Sequence, residues 1–290
     1  ALAGGWTYTW QGNDESQYPE EMLTLFEGLQ KEYKNSNIVL SDVRTMASDA
    51  GGAEAIILAL GEMPYAEGWG NIDDLDMPRQ QKALIREGLA TGKPVIVTLI
   101  EGRPLTFGDL SRDCEGIIFA GLHGPHGAEA ISGVISGRIN PSGKMPVTYP
   151  YESGHVIPYN YKHMEFSDLN TYKEEIQQYT ISEFGTGLSY TTFAYNNLQL
   201  SDTVVTPGNT ISAEVTVTNT GARDGKEAVI WFVSDKVAHF TRPVKELRHF
   251  EKQMIPAGSS RTFSFEIMPQ EDLGYPDREG DLILEEGRFT

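Results

Sequence analysis

Glu62 and Glu67 stand on one short segment, Gly61-Glu62-Met63-Pro64-Tyr65-Ala66-Glu67-Gly68-Trp69-Gly70-Asn71, with the rings of Tyr65 and Trp69 among them. Cleaving a glycosidic bond takes two carboxyl groups. One protonates the leaving oxygen, and the other attacks the anomeric carbon or activates water. The acid must keep its proton near working pH, which burial or a neighbouring negative charge achieves. Glu62 is the first choice for that acid and Glu67 the second; the competing reading is a pair of solvated loop acids. A second aromatic cluster, Trp6 and Trp10, lies in Gly4-Gly5-Trp6-Thr7-Tyr8-Thr9-Trp10-Gln11-Gly12. Buried indoles need partners for their N–H groups, so stacking on a sugar ring and ordinary loop packing both remain open.

Other chemistries find little footing. Asp73, Asp74 and Asp76 share a loop, but their spacing matches no EF-hand and suits a solvated approach to a helix. The six histidines show no zinc-ligand spacing, and His123 and His126 merely share a Gly-rich stretch. No Gly-rich phosphate motif is present, and the single cysteine, Cys114, reads as packing. No cofactor or metal is expected.

The elements that position these residues follow from periodicity. Ala55–Leu60 is apolar throughout and bounded by Gly and Pro, as in a strand covered on both faces. Glu62 therefore falls just beyond a strand's carboxyl end, where open α/β sheets bind ligands. Short strands are also expected at Ile38–Leu40, Val95–Ile100, Gly116–Ala120 and Met145–Thr148. Helices are expected over Pro19–Tyr33, Arg79–Leu89 and His126–Ser136. Such alternation predicts a mainly parallel sheet sandwiched by helices. Tyr151–Gln178 is polar and aromatic without a clear period and reads as a surface connector. Beyond it, Thr210–Asn219, Glu227–Ser234 and Ser260–Ile267 read as strands between Gly, Pro and Asn turns, which predicts a β-sandwich.

The chain has 290 residues and a net charge of -18. That length suits about two domains. A surface so acidic repels nucleic acid and anionic membranes, while a neutral sugar is indifferent to it. No apolar run is long enough to span a bilayer. The first residues read as the tail of a strand and the last as a strand that stops after two residues. The chain is thus expected to be an internal piece of a longer polypeptide.

Five phrases, GGWTYTWQG (4–12), GEMPYAEGWGN (61–71), KPVIVTLIEGRPL (93–105), GRINPSGKMPVTYP (137–150) and FGTGLSYTTFAY (184–195), resemble the C-terminal part of a glycoside hydrolase family 3 enzyme of the β-glucosidase type. A sixth, RPVKELRHFEK (242–252), resembles part of that family's fibronectin III-like domain. The resemblance implies an α/β sandwich domain over 1–185, its N-terminal edge missing and a surface connector at 151–185. A fibronectin III-like sandwich over 186–290, its last strand truncated, would follow. It also implies an N-terminal barrel, absent here, that carries an aspartate nucleophile. Glu62 then falls on the acid/base position, with Glu67 as second choice, and Trp10, Trp6, Tyr65 and Trp69 on the sugar. Asn71 stands where relatives often carry Asp, and His123 where proline is common. The implied activity is retaining, exo-acting hydrolysis of terminal β-D-glucosyl residues by a periplasmic or secreted enzyme, with the two carboxyl groups about 5–5.5 Å apart once assembled. A β-xylosidase of the same family, a non-catalytic carbohydrate-binding protein and a sugar-binding receptor are the alternatives.

Overall fold

The structure is a computed structural model that describes residues 4–155, 159, 161–162 and 179–290. Most of the expected connector lies outside the described residues. Two compact units emerge, the first from the described parts of Ala1–Ile139, Tyr149–Val156 and Glu175–Ser182, and the second from those of Asn140–Thr148, Ile157–Glu174 and Glu183–Thr290.

The first unit carries helices α1 (Leu25–Glu32), α2 (Met46–Asp49), α3 (Arg79–Ala90), α4 (Leu110–Asp113) and α5 (Gly127–Ile135). Its strands are β1 (Ile56–Gly61), β2 (Val95–Ile100), β3 (Gly116–Phe119), β4 (Tyr149–Pro150) and β5 (Thr180–Ser182). β1, β2 and β3 form a parallel sheet in that order. Its centre is buried and apolar: Val95, Val97 and Leu99 of β2 are buried, as is Ile85 of α3, which packs on β1 and β2. α1 lies against α5 so closely that a Cβ on Gly28 would sit 2.8 Å from the Ser132 hydroxyl oxygen.

Three expectations are corrected. The helix expected from Pro19 begins only at Leu25. Thr24 caps it by accepting from the Glu27 N–H while the Glu27 carboxylate accepts from the Thr24 N–H, and this reciprocal pair fixes the start better than Pro19 does. Ile38–Leu40 forms no strand, and Val39 and Leu40 are exposed, because no neighbouring strand offers a ladder to an apolar triplet. Met145–Thr148 is not a strand either. The pairing begins four residues after Met145, at Tyr149, where β4 meets β5 antiparallel, and Met145 instead exchanges backbone hydrogen bonds with Gly185 and Thr186.

The second unit is antiparallel. β6 (Phe193–Leu200), β7 (Ile211–Asn219) and β10 (Ser260–Ile267) make one sheet with β7 central. β8 (Gly225–Val233) and β9 (Glu246–Ile255) make another, and β11 (Tyr275–Pro276) pairs with β12 (Leu282–Ile283). The alternation on β7 and β10 delivers Val215, Val217 and Phe263 to a core shared with Val229 and Ile255. Asn219 is wholly buried and fully used, donating to the Arg223 and Ile255 carbonyls and accepting from Thr191 and Gly221. Among the described residues no helix is long and apolar enough to cross a membrane.

Candidate active site

β1 and β2 end side by side, Gly61 opposite Ile100. Gly61 takes φ 148°, and a Cβ there would lie 1.9 Å from the Ile100 oxygen, so the close approach of the two strand ends requires glycine. Gln81 of α3 clamps the same residue, accepting from its N–H at 3.0 Å and donating to its carbonyl at 2.6 Å. The segments leaving the two strands, Glu62 onward and Glu101 onward, are thereby brought together.

Glu62 faces that second segment. Its side chain is 8% exposed and pairs with Arg103 at 2.6 Å. Oε1 accepts the Arg103 Nε–H, while Oε2 accepts from the Gly102 N–H at 3.0 Å, the Arg103 N–H at 3.3 Å and the Tyr65 hydroxyl at 3.3 Å. The Arg103 guanidinium also lies over the Tyr65 ring. Burial first, and the Glu62 charge second, raise the Tyr65 phenol above its ordinary pKa, so it stays a donor.

Tyr65 in turn fixes the loop. Its ring rests against Gly70, where a Cβ would lie 2.0 Å from a ring carbon. The tryptophan loop docks here too: a Cβ on Gly5 would lie 2.1 Å from the Tyr65 carbonyl oxygen, and the Gln11 amide accepts the Ala66 N–H at 2.9 Å and reaches its carbonyl at 3.4 Å. Ala66 is buried. The next residue, Glu67, is exposed, adopts φ 53° and makes no hydrogen bond or ion pair among the described residues. Trp69 follows at 79% exposure. Trp6 also has a left-handed backbone, φ 57°, closed by its N–H bonding the Trp10 carbonyl, and its ring lies 6.2 Å from that of Trp10. Non-glycine residues held at positive φ concentrate at functional sites.

Behind this surface lies Glu101, fully buried at the end of β2. Its Oε1 lies 2.7 Å from the Tyr149 hydroxyl and accepts weakly from the Leu105 N–H at 3.4 Å, while Oε2 has no partner among the described residues. Burial pushes the Glu101 carboxyl up to about 7, against the opposing pull of its hydrogen bonds, with a further push from the Glu62 charge.

The structure thus brings Glu62, Tyr65, Glu67 and Trp69 onto one loop, with the Trp6 and Trp10 loop docked on its Tyr65–Ala66 segment. It separates the two glutamates by environment: Glu62 is enclosed by donors and Glu67 faces solvent. Gln11, Arg103, Glu101 and Tyr149 were not singled out from the sequence. For Arg103 the signal was available, since Gly102-Arg103 follows the strand neighbouring β1, and adjacent parallel strands converge at their carboxyl ends. Among the described residues no group of side chains suited to a metal ion occurs. Asp76 pairs with Lys82, and the Cys114 thiol donates to the Leu110 carbonyl, its pKa raised by burial to about 11.

Residues 1–190 match the Glycosyl hydrolase family 3 C-terminal domain, and residues 227–290 match a Fibronectin type III-like domain. The chain belongs to glycosyl hydrolase family 3. Among its relatives are the lysosomal beta glucosidase of Dictyostelium discoideum, 31% identical over 99% of this chain and 37% of that protein. A beta-xylosidase of Formosa agariphila is 32% identical over 84% of this chain and 34% of that protein. The solved β-glucosidase of Erythrobacter marinus superposes with a TM-score of 0.80 at 27% identity, over 99% of this chain and 43% of that one. This family 3 chain therefore spans well under half the length of these relatives, and its α/β unit followed by an antiparallel sandwich is the architecture of their C-terminal portion.

Proposed function

We propose that the chain is the acid/base-bearing portion of a retaining, exo-acting β-glucosidase, and that Glu67 rather than Glu62 is the proton donor. The observation that carries this is the contrast in hydrogen bonding. Every oxygen of Glu62 already accepts from a donor, so its carboxylate holds the loop and offers no proton outward. Glu67 is exposed on a strained backbone beside Trp69, with no partner for its carboxylate among the described residues. The first choice made from the sequence thus moves to the role of anchor, and the second takes the chemistry.

An aspartate on polypeptide outside this chain attacks the anomeric carbon as the glycosidic C–O bond breaks and the Glu67 proton passes to the leaving oxygen. Glu67 as carboxylate then takes a proton from water. The water oxygen displaces the aspartate, and the sugar leaves with its configuration retained. Trp6, Trp10 and Trp69 supply exposed rings for the apolar faces of sugars. The chain by itself holds one carboxylate of the two and is inactive. The matched regions favour an α/β domain over 1–185 and a fibronectin III-like domain over 186–290. A location outside the cytoplasm, periplasmic or secreted, completes the reading and is checked by cell fractionation.

The deciding experiment compares Glu67→Gln with Glu62→Gln in the full-length protein. Glu67→Gln should cripple disaccharide hydrolysis and largely spare the first step on activated aryl glucosides, which need no proton. The same signature from Glu62→Gln, with Glu67→Gln fully active, would return the acid to Glu62. The kinship with a beta-xylosidase sustains a second reading in which the sugar is xylose; aryl xylosides in the same assay separate the two.

A further inference from the structure

Three oxygens lie in a row in the interior of the first unit. Glu101 Oε1 and the Tyr149 hydroxyl are 2.7 Å apart, and the same hydroxyl is 2.7 Å from the Leu105 carbonyl oxygen. Each contact has the length of a good hydrogen bond and needs a hydrogen of its own. The Leu105 carbonyl has none to give, and a tyrosine hydroxyl has one. If Tyr149 donates to Leu105, the hydrogen between Tyr149 and Glu101 must belong to Glu101. If it donates to Glu101, two bare oxygens confront each other at 2.7 Å across Tyr149 and Leu105. Both residues are buried, so water is not at hand to resolve the conflict. The second Glu101 oxygen has no partner, which a neutral acid's carbonyl tolerates far better than half of a carboxylate does.

We propose that Glu101 is a neutral carboxylic acid in the folded chain, that it donates to Tyr149 so that Tyr149 can donate to Leu105, and that this proton sets the turn on which Glu62 is held. Gly102 and Arg103, which supply three of the donors to Glu62, lie within that turn, between Glu101 and Leu105. Glu101 is accordingly a positioning residue that acts through Arg103 on the anchor of the Glu67 loop.

The groups facing it agree in sign. Glu62, on the segment after β1, is negative and opposes ionisation, while Tyr149 on β4 and Tyr65 are phenols whose pKa is raised by burial first and by these carboxylates second. The nearby guanidinium of Arg103 is turned to Glu62 and caps the Tyr65 ring. Burial lifts Glu101 from its ordinary 4.5 to about 7. The folded chain therefore keeps a proton that the unfolded chain has already lost. The stabilisation is complete below the unfolded value and disappears as pH rises through the folded one. Above that point Tyr149 must abandon Leu105, and the turn loosens.

This inference stands apart from the choice between Glu67 and Glu62 as acid, and its test reads no hydrolysis. The chain is labelled with carboxyl-13C glutamate and Nε-15N arginine and titrated by NMR. One glutamate carboxyl should titrate with a midpoint around pH 7, and Glu101→Gln should remove it. The Arg103 Nε–H resonance should move with the same midpoint and become insensitive to pH in Glu101→Gln, whose amide donates to Tyr149 permanently. Titration of every glutamate in the ordinary range would overturn the proposal, as would an Arg103 signal that still follows the same pH curve in Glu101→Gln. If that variant fails to fold, the glutamate titration of the unaltered chain decides alone.

Discussion

The segment that leaves β1 has two halves built on opposite terms. From Gly61 to Ala66 all but the exposed Met63 and its neighbour Pro64 are tied down: Gln81 holds Gly61, four donors hold Glu62, Arg103 and Gly70 both pack against the Tyr65 ring, and Gln11 holds Ala66. From Glu67 to Trp69 the side chains are exposed, and the Glu67 carboxylate is unengaged among the described residues. Precision at a reacting group comes from rigid surroundings, whereas its availability requires that its own polar atoms be left unsatisfied. A carboxylate cannot serve as structural clamp and as proton shuttle together, so on the proposed reading the loop carries one glutamate for each task.

The largest effect that separates the halves is catalytic. In the full-length protein, Glu67→Gln should lower kcat on a disaccharide by about 10²–10⁴-fold, the usual weight of a general acid, with the melting temperature unchanged. Glu62→Ala should do the reverse in kind. It strands a half-buried guanidinium and removes the acceptor of two backbone N–H groups. Losing one partner of a buried pair costs roughly 3–5 kcal/mol, and the partial exposure of Arg103 places the expected loss near the lower figure. Chemical denaturation of the 290-residue chain measures it, and a stability loss below about 1 kcal/mol, the scale of a surface ion pair, would mean that the first half is not the anchor. Gln11→Ala removes two contacts to Ala66 and should cost about 1–2 kcal/mol. In the full-length protein it should also raise KM more than it lowers kcat, because the Trp6 and Trp10 loop loses its mooring while Glu67 remains.

The sequence exposed the first half of this arrangement unevenly. β1 and β2 were legible because a buried strand has nowhere to place polar residues, and β7 and β10 because their alternation has an inside and an outside. β9 escaped notice: with Glu246, Arg248, His249, Glu251, Lys252 and Gln253 among its ten residues, its period is masked by long polar side chains, most of which remain half-buried while Lys252 is exposed. At the site, residue type alone marked the loop and its aromatic residues as candidates. The division of labour proposed for Glu62 and Glu67 was not legible, because it rests on the donors Gly102 and Arg103, forty and forty-one residues away in the chain, which only the register of β1 on β2 brings near. Glu101 was hidden for a related reason: a glutamate after an apolar strand resembles a surface acid until Tyr149 is seen to close over it.

The smallest effect is the most discriminating for the exposed half. Glu67 occupies φ 53°, where a side chain with a Cβ is strained by roughly 1–2 kcal/mol. Glu67→Gly releases that strain but gives the unfolded chain more freedom to lose, a cost of about 0.5–1 kcal/mol. The net should be a small gain of about 0.5 kcal/mol, read as a slight rise in melting temperature. Glu67→Ala keeps the Cβ and the strain, and should show no gain. Both variants abolish the acid, so the pair isolates backbone strain from chemistry. If the two melt together, the backbone at Glu67 is relaxed in solution, and the contrast between the halves reduces to hydrogen bonding. If glycine melts higher, the fold gives up stability to hold this one carboxylate outward, as expected where a reacting group is presented rather than packed.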